Sequence, residues 1–403
     1  MGAMGRRSAK LLNSSVAPWP SFSQDETSTV TDVLQSGRVN YWTGEIGRQF
    51  EREFAAWTGT RRAIALANGT LALDVALKAL GIGPGDDVIV TPRTFIASVS
   101  SVVGAGARPV FADVDYESGN LTAETIAAAM TSATRAFVPV HLGGWPCDMT
   151  GIMDLARAHD CVVIEDCAQA HGAWHAGRKV GSFGDVGAWS FCQDKIMSTG
   201  GEGGMVTTDN EELWNTMWSY KDHGKSWEAI YEREHPQGFR WIHDSFGTNW
   251  RMLEVQAAIG RAQLAKMDLW TAQRTKNAQR LIATLKDFGK VVRVPTVSSE
   301  SDRHAFYRLY AYVRPNGLRA AWSRDRIVQM INQLGIPAFQ GSCAEVYNER
   351  AFDGTGMRPD QPLPVAKDLG ETSLAFLVHP TLSNDDIDRT AMALRTVLSE
   401  ASI

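Results

Sequence analysis

The sequence lacks any apolar run that could cross a membrane, since no stretch approaches the roughly 18 consecutive apolar residues that a transmembrane helix needs. The first ten residues contain two arginines but no apolar segment follows them, so we expect no signal peptide. No lysine- or arginine-rich run is present and the net charge is -5, which does not favour a nucleic-acid partner. We therefore expect a protein that acts on neither membranes nor nucleic acids.

Cysteine is scarce and has no recognisable pairing pattern. The chain has 5 cysteines, an odd number, and no two of them have the C-x-x-C spacing typical of zinc and redox sites. We therefore expect no disulfide and no metal site, and a reducing cytoplasm fits as the location.

A dinucleotide-binding fingerprint is also missing. The nearest candidate, Gly104-Ala105-Gly106-Ala107-Arg108-Pro109, ends in proline where the G-x-G-x-x-G motif requires glycine or alanine. This departure argues against a nicotinamide-dependent dehydrogenase on a Rossmann sheet.

What is present is a long chain with the composition of a globular protein. Its 403 residues, 44% hydrophobic and 21% charged, suffice for a large domain and a smaller one. Short apolar segments alternate with helical patterns, which predicts an α/β fold whose mostly parallel sheet is covered on both faces. The predicted strands of this sheet are Asp87–Val90, Pro109–Val114, Ala136–Val140, Cys161–Asp166, Gly187–Phe191 and Gly204–Thr208.

The segments on either side of these strands have a different pattern. The N-terminal segment, from about Phe22 to Leu80, is predicted to be helical. The elements predicted after the sheet are helices over Glu254–Trp270 and Ala272–Phe288, a β-containing segment near Phe306–Val313 and a helix near Arg324–Leu334. We predict an N-terminal tail at 1–21, a large domain at 22–268 and a small domain at 269–403.

Two ionisable residues stand where chemistry is expected. Asp166 ends a predicted buried strand, and in open α/β sheets ligands collect at the carboxyl ends of the strands. A buried carboxylate needs a cationic partner, although a single aspartate there is commonly a helix cap or part of a surface ion pair. Lys195 follows a strand and has the apolar neighbours Phe191 and Ile196. A lysine in an apolar site has a lowered pKa and can attack a carbonyl, whereas a lone lysine is usually solvated.

Two other segments could approach a phosphate. Asn68-Gly69-Thr70 places free N–H groups and a hydroxyl at the start of a predicted helix, and Ser190 offers a second hydroxyl. The four glycines within Gly200–Gly204 allow close approach of the backbone. Each segment alone is equally consistent with an ordinary helix cap or a flexible turn. Only the combination of these segments, in this order along the chain, distinguishes a cofactor site from ordinary caps and turns.

In that combination the chain resembles the DegT/DnrJ/EryC1/StrS family of sugar aminotransferases, which are fold-type I pyridoxal-phosphate enzymes. The likeness extends from about Phe22 to about Ser383 and includes the spacing between Asp166 and Lys195. The motifs that carry it are Asn68-Gly69-Thr70, Gly81–Asp86, Thr94–Ser98, Glu165–Gly172, Ser190-Phe191, Lys195, Thr199–Gly204, Asn249–Met252 and His379-Pro380.

The resemblance implies the fold and the cofactor. The fold would have a mostly parallel, mixed seven-stranded sheet flanked by helices, with a smaller C-terminal α+β domain. The cofactor would be pyridoxal 5'-phosphate, carried by Lys195 as a Schiff base, with Asp166 paired with the protonated pyridine nitrogen. Gln169 is expected near the phenolic oxygen of the cofactor and Phe95 against its ring.

The family pattern also implies how the phosphate is held. Gly69, Thr70 and Ser190 would bind it within one chain. Asn249 resembles an asparagine that reaches the phosphate from the neighbouring subunit, so the resemblance implies a homodimer with shared active sites.

Four further residues are candidate substrate contacts, each with an alternative interpretation or only a position in the family motifs. Arg251 could meet an anionic group or form a structural salt bridge, and His171 could lie near the cofactor or make a structural hydrogen bond. Trp42 could stack on a sugar or pack in an interface, and His379 is assigned through its motif alone.

The implied reaction moves an amino group from glutamate or glutamine to a keto sugar, expected to be nucleotide-linked, with Lys195 transferring the proton. Lys195 argues against the sugar 3-dehydratases of the same family, which have histidine at that position. Two alternatives stay open: a cyclitol ketone as the acceptor, and a non-catalytic regulatory relative. The presence of both Lys195 and Asp166 weighs against the second.

Overall fold

A seven-stranded sheet forms the centre of the large part of the molecule. The structure, a computed structural model, describes residues 16–297 and 299–403. The strands up to residue 208 are β1 (Arg62–Leu66), β2 (Asp87–Val90), β3 (Arg108–Phe111), β4 (Thr134–Val138), β5 (Val162–Asp166), β6 (Trp174–His175), β7 (Arg178–Lys179), β8 (Val186–Ser190) and β9 (Gly204–Thr208). All except the β6–β7 hairpin belong to the sheet, whose order is β1-β9-β8-β5-β4-β2-β3.

The sheet is mixed because one strand is reversed. β9 is antiparallel to β1 and β8, whereas the other neighbouring strands are parallel. This confirms the predicted mostly parallel seven-stranded sheet. The strands β1, β2, β5 and β8 all end at the same edge, and this edge positions the candidate site.

Helices cover both faces of the sheet and continue into the C-terminal part. They are α1 (Gln24–Ser36), α2 (Ile46–Thr58), α3 (Gly69–Ala79), α4 (Ala97–Gly104), α5 (Ala123–Ala129), α6 (Met149–Ala158), α7 (Glu211–Lys221), α8 (Trp227–Tyr231), α9 (Glu254–Leu264), α10 (Met267–Lys286), α11 (Arg324–Gln333), α12 (Pro364–Thr372) and α13 (Asn384–Ala401). Among residues 16–297 and 299–403, no helix combines the length and apolar character needed to cross a bilayer.

The C-terminal part has a second, antiparallel sheet. Its strands are β10 (Val292–Arg293), β11 (Leu309–Val313), β12 (Ala338–Phe339) and β13 (Ser373–Phe376), in the order β10-β11-β13-β12. Apolar residues of α10, α11 and α13, such as Leu281, Ile327 and Leu394, bury one face of it, and Val16 joins the same core. The predicted division into 22–268 and 269–403 remains a proposal, and most of the predicted tail, residues 1–15, lies outside the described residues.

The prediction that Phe22–Leu80 is helical throughout is wrong. The segment contains three helices and the strand β1, which pairs with β9 from Arg62↔Thr208 to Leu66↔Gly204. The strand sequence Arg-Ala-Ile-Ala-Leu has two alanines and four buried residues, so it shows no alternation between polar and apolar positions. Long-range pairing with β9 overrides its helix propensity.

Two predicted boundaries also need correction. The predicted strand Pro109–Val114 ends at Phe111, because the chain turns away so that the carboxylate of Asp113 accepts the backbone N–H groups of Val365 and Ala366 at 2.9 Å. The break between the two long helices lies at 264–267 rather than near Trp270. The sequence did not reveal this position because neither glycine nor proline marks it. The remaining predicted strands of the large sheet agree with the structure to within a few residues.

Candidate active site

Asp166 lies at the carboxyl end of β5 and is 6% exposed. Its Oδ2 accepts a hydrogen bond from the Ser98 hydroxyl at 2.7 Å, and its Oδ1 accepts one from the backbone N–H of Ala168 at 3.1 Å. Ser98 is in turn held by the Thr94 hydroxyl at 2.7 Å. Within the described chain no cationic side chain forms an ion pair with this carboxylate, and its closest hydrogen-bond partners are neutral groups.

Lys195 lies in the loop that follows β8, and its side chain is 15% exposed. Its Nζ is 3.6 Å from Asp194 Oδ1 and 5.6 Å from the ring centre of Tyr307. Burial lowers the pKa of Lys195, but Tyr307, Asp194 and Asp166 outweigh burial and raise it above its usual value. The expectation of a lowered pKa is therefore wrong for this site, because the effect of the apolar neighbours is outweighed by Asp194, which directly precedes Lys195, and by Tyr307, which is distant in the sequence.

The predicted phosphate-binding residues meet between α3 and β8. Asn68 caps α3 by accepting the backbone N–H of Leu71 at 3.1 Å, and the first N–H groups of the helix have no partner within it. A Cβ at Gly69 would lie 2.6 Å from the Ser190 Cβ, so only glycine permits this approach. The Thr70 side chain is exposed at the same helix start. The geometry forms a cradle of free N–H groups and hydroxyls, which suits an anion.

Gln169 and Phe95 flank the same edge of the sheet. The Gln169 Oε1 accepts the backbone N–H of Gly143 at 2.7 Å. The amide nitrogen of Gln169 therefore points away from Gly143 and is available to donate a hydrogen bond to another group. Phe95 follows β2 and is 60% exposed, an unusual state for a large apolar ring. Phe95 is therefore not a core residue.

His171 and His379 are buried beside this group. His171 has no hydrogen-bond partner in the described chain and packs on the rings of Trp189 and Phe191, so the interpretation as a structural hydrogen bond is wrong. Burial, followed by Lys195 and Arg274, lowers the pKa of His171 to about 3. His379 Nδ1 lies 2.9 Å from the Thr381 hydroxyl, and burial lowers its pKa to about 2. Both imidazoles are therefore neutral near pH 7.

The other three candidates lie on different segments. Arg251 donates to Asp222 at 2.5 Å, so a structural salt bridge is present, and the exposed Asn249 is two residues before it. Trp42 packs against Trp218, with their ring centres 6.0 Å apart. The structure thus assembles Asp166, Lys195, Gln169, Ser190, Gly69, Thr70 and Phe95 at one edge. The segment of Asn249 and Arg251 runs beside the end of β1, where the Ala67 N–H donates to the Trp250 carbonyl at 3.0 Å.

Several residues at the site were not predicted. The Tyr307 hydroxyl donates to Asp194 at 2.6 Å, and the Trp19 indole donates to the Lys195 backbone carbonyl at 2.8 Å. Asp194 directly precedes Lys195 in the sequence, and Ser98 belongs to a recognised motif, so both had a local signal. Tyr307 and Trp19 are more than 100 residues away along the chain and had none.

One buried group has the residue types of a metal site. His141, Glu165 and Cys167 offer ligand atoms within 4.8 Å of one another. However, Glu165 accepts backbone N–H groups from Gly181, Phe183 and Gly184, and His141 Nδ1 accepts the N–H of Cys147 at 2.9 Å. Because these lone pairs are already used, the group acts as a structural hydrogen-bond network.

Comparisons with known proteins show which proteins the chain is similar to. The model of the DegT/DnrJ/EryC1/StrS aminotransferase family matches residues 20–395. GDP-perosamine synthase of Caulobacter vibrioides is 38% identical over 89% of this chain and 92% of its own length. The crystal structure of an aminotransferase from Psychrobacter cryohalolentis is 59% identical, with a TM-score of 0.95 over 96% of this chain and 99% of that one. DesV of S. venezuelae, solved with a ketimine intermediate, is 31% identical with a TM-score of 0.82 over 93% of this chain and 94% of that one.

Proposed function

Because the chain belongs to the DegT/DnrJ/EryC1/StrS aminotransferase family, we propose that it transfers an amino group from glutamate or glutamine to a keto sugar in amino-sugar biosynthesis. The proposed cofactor is pyridoxal 5'-phosphate. A similarity to GDP-perosamine synthase over nearly the whole chain supports a nucleotide-linked sugar as the acceptor.

The observation that carries the proposal is the state of Asp166. A carboxylate that is only 6% exposed and forms no ion pair among the described residues is costly, and the protonated ring nitrogen of the cofactor would supply a directly paired cation. The cradle at Gly69 and Ser190, the amide nitrogen of Gln169 and the exposed ring of Phe95 fit the phosphate, the phenolic oxygen and the ring face. The residues at the edge therefore fit each part of this cofactor.

The chemistry divides between the cofactor and the chain. When bound, the cofactor supplies an electron sink for the bonds at the donor carbon. Asp166 maintains the positive charge on which that sink depends, and Ser98 fixes the carboxylate by its hydrogen bond. Lys195 Nζ holds the cofactor at rest and can later take a proton from the donor carbon and return it. Asp194 and Tyr307 keep this amine in place.

Visible absorption spectra of the holoenzyme test the proposal. We expect a band near about 420 nm that disappears in Lys195→Ala and that glutamate or glutamine converts to a band near about 330 nm. Lys179→Ala is the matched control, because burial lowers the pKa of this second lysine and its Nζ donates to the Trp57 carbonyl rather than to a group of the candidate site. A wild-type protein that shows no band with added pyridoxal phosphate contradicts the proposal and favours a non-catalytic relative.

We also propose a homodimer whose active sites are shared, with Asn249 reaching the partner. Exposed aromatic side chains on the same segment, Phe239, Trp241 and Phe246, support a contact with a second copy. Hybrids of Lys195→Ala and Asn249→Ala subunits test it. If Asn249 acts across the interface, each hybrid has one intact site and the mixture regains roughly a quarter of the wild-type sites. If it acts within its own chain, mixing restores nothing.

The proposed location is the cytoplasm. All five cysteines are free, and four of them are buried or half-buried. Free thiols in a chain of this size support a reducing compartment.

A further inference from the structure

Two guanidinium groups beside the candidate site have no carboxylate partner within the described chain. Arg308 makes no ion pair and no side-chain hydrogen bond there, and it stacks on the rings of Tyr307 and Phe339 at 4.8 and 5.8 Å. Arg274 is 1% exposed, and its Nη1 donates to the Phe306 carbonyl at 3.3 Å while Nε and Nη2 have no partner. Unpaired arginines in buried surroundings are unusual, because burying a charge is costly.

Tyr307 places Arg308 close to Lys195. The Lys195 Nζ and the Arg308 guanidinium contact the same ring, at 5.6 and 4.8 Å from its centre. The acidic group nearby, Asp194, is already engaged by the Tyr307 hydroxyl at 2.6 Å and by Lys195 at 3.6 Å. Arg308 therefore has no ion-pair partner in the described chain, although it packs on the same ring as the reacting amine and its charge helps to lower the pKa of Asp194.

The electrostatics of the cluster agree with this geometry. Burial and then the charge of Arg308 lower the pKa of Arg274 to about 9, so the two guanidinium groups repel each other. An anion between them and solvent would relieve that repulsion. The planar fork of an arginine matches a carboxylate, which it binds through two parallel hydrogen bonds.

We propose that Arg308 binds the α-carboxylate of the amino-acid donor, with Arg274 behind it strengthening the positive potential. The inference rests on the proposed function. The α-carboxylate and the reacting amine share one carbon, so a donor whose amine replaces Lys195 Nζ brings its α-carboxylate toward Arg308. The proposed phosphate cradle at Gly69 and Ser190 is built from other elements, which leaves this cluster for a second anion. Glutamate and glutamine both carry the group that Arg308 recognises.

The test measures donor binding in the first half-reaction of the holoenzyme. Single-turnover conversion of the visible band gives an apparent dissociation constant for glutamate and for glutamine with the wild type, Arg308→Gln and Arg308→Lys. The matched control is Arg303→Gln, since Arg303 also stacks on an aromatic ring, that of Trp174 at 4.9 Å, and has no carboxylate partner in the described chain. Calorimetric titration of glutarate, UDP and GDP into the same holoenzymes gives a readout that needs no turnover.

We expect Arg308→Gln to weaken the binding of both donors by about 30-fold or more, because a charge-assisted pair of hydrogen bonds is lost. Arg308→Lys should recover part of the affinity, Arg303→Gln should match the wild type, and the resting spectrum should be unchanged. Weaker binding of glutamate with unchanged binding of glutamine would assign Arg308 to the side-chain carboxylate of glutamate and overturn the proposal. Weaker binding of UDP or GDP with unchanged donors would assign it to the acceptor and overturn it equally. A wild type without any visible band would remove the proposed function itself, whereas a normal band with unchanged donor affinities would contradict only the role of Arg308.

Discussion

Glu165 and Asp166 are adjacent carboxylates at the end of β5, yet their surroundings differ completely. Both oxygens of Glu165 are used: they accept the N–H groups of Gly181, Phe183 and Gly184 at 2.7–2.8 Å, and His141 Nε2 lies at 3.2 Å. Because His141 Nδ1 accepts the backbone N–H of Cys147, the ring proton lies on Nε2, which donates a hydrogen bond to Glu165. The Asp166 carboxylate, in contrast, accepts hydrogen bonds from one hydroxyl, that of Ser98, and one backbone N–H, that of Ala168.

This difference follows from the strand itself. Successive side chains of a strand point to opposite faces of the sheet, so Glu165 faces the loop that leads into β8 while Asp166 faces α4, where Ser98 lies. Burial raises the pKa of Glu165, but His141 and the backbone N–H groups hold it below its usual value. A carboxylate whose partners are complete stabilises the fold, and one whose partners are incomplete is available for a ligand. Substitutions at the two positions should therefore affect different properties.

The largest expected effect is that of Asp166→Asn on catalysis. The amide cannot balance a positive ring nitrogen, so we expect the single-turnover rate with glutamate to fall by about 1000-fold, a loss typical of a key electrostatic group. Stopped-flow absorption measures this rate.

The folded state should tolerate the same change. The Asn oxygen can still accept the hydrogen bond from Ser98, and only one N–H group, that of Ala168, would face the new NH₂, so the urea midpoint should fall far less than in Glu165→Gln. A large loss of stability with little loss of rate would reverse the roles inferred for the two carboxylates.

Glu165→Gln should have the opposite profile, with a loss of stability of about 3 kcal/mol and a nearly unchanged resting spectrum. The amide NH₂ of glutamine would face backbone N–H groups, which leaves donors opposed and unsatisfied. Urea unfolding of the wild type and the variant at several pH values measures this loss of stability.

The loss should also depend on pH. Because folding lowers the pKa of Glu165, its stabilisation is complete above the unfolded value of about 4.3 and disappears as the pH falls through the folded value. The gap between wild type and variant should therefore be widest near neutral pH and narrow in acid. A gap that widens in acid would contradict the lowered pKa.

The parts of the fold that could be predicted are those with local signals. The central strands are short apolar runs between turns, and the motifs around Asp166 and Lys195 led to the family that the comparisons confirm. The strand β1 was missed because its pairing with β9 joins residues more than 130 positions apart. The same reason applies to the site, where the raised pKa of Lys195 depends on Tyr307, a residue of the C-terminal part.

Lys195 shows the same contrast between complete and incomplete hydrogen bonding, in its backbone and in its side-chain amine. Its backbone is fully held, since its N–H donates to the Cys192 carbonyl and its own carbonyl accepts the Trp19 indole at 2.8 Å. Among the described residues its Nζ has one ion-pair partner, Asp194 at 3.6 Å, and packs on the Tyr307 ring. Trp19 is itself held by His379, whose ring stacks on it with centres 5.8 Å apart. Trp19 thereby connects the loop of Lys195 with the C-terminal part of the chain.

The smallest expected effect is that of Trp19→Phe, which keeps an aromatic ring and removes one hydrogen bond. Loss of this bond should lower stability by about 1 kcal/mol and slow the single-turnover rate only a few-fold. Trp214→Phe is the matched control, because the Trp214 indole donates to the Ala63 carbonyl at 3.3 Å in the large core. If the bond positions Lys195, Trp19→Phe should also shift the pH at which the visible band of the resting holoenzyme titrates, and Trp214→Phe should not. Equal behaviour of the two variants would mean that Trp19 serves packing alone, because only a change in the surroundings of Nζ can move that titration.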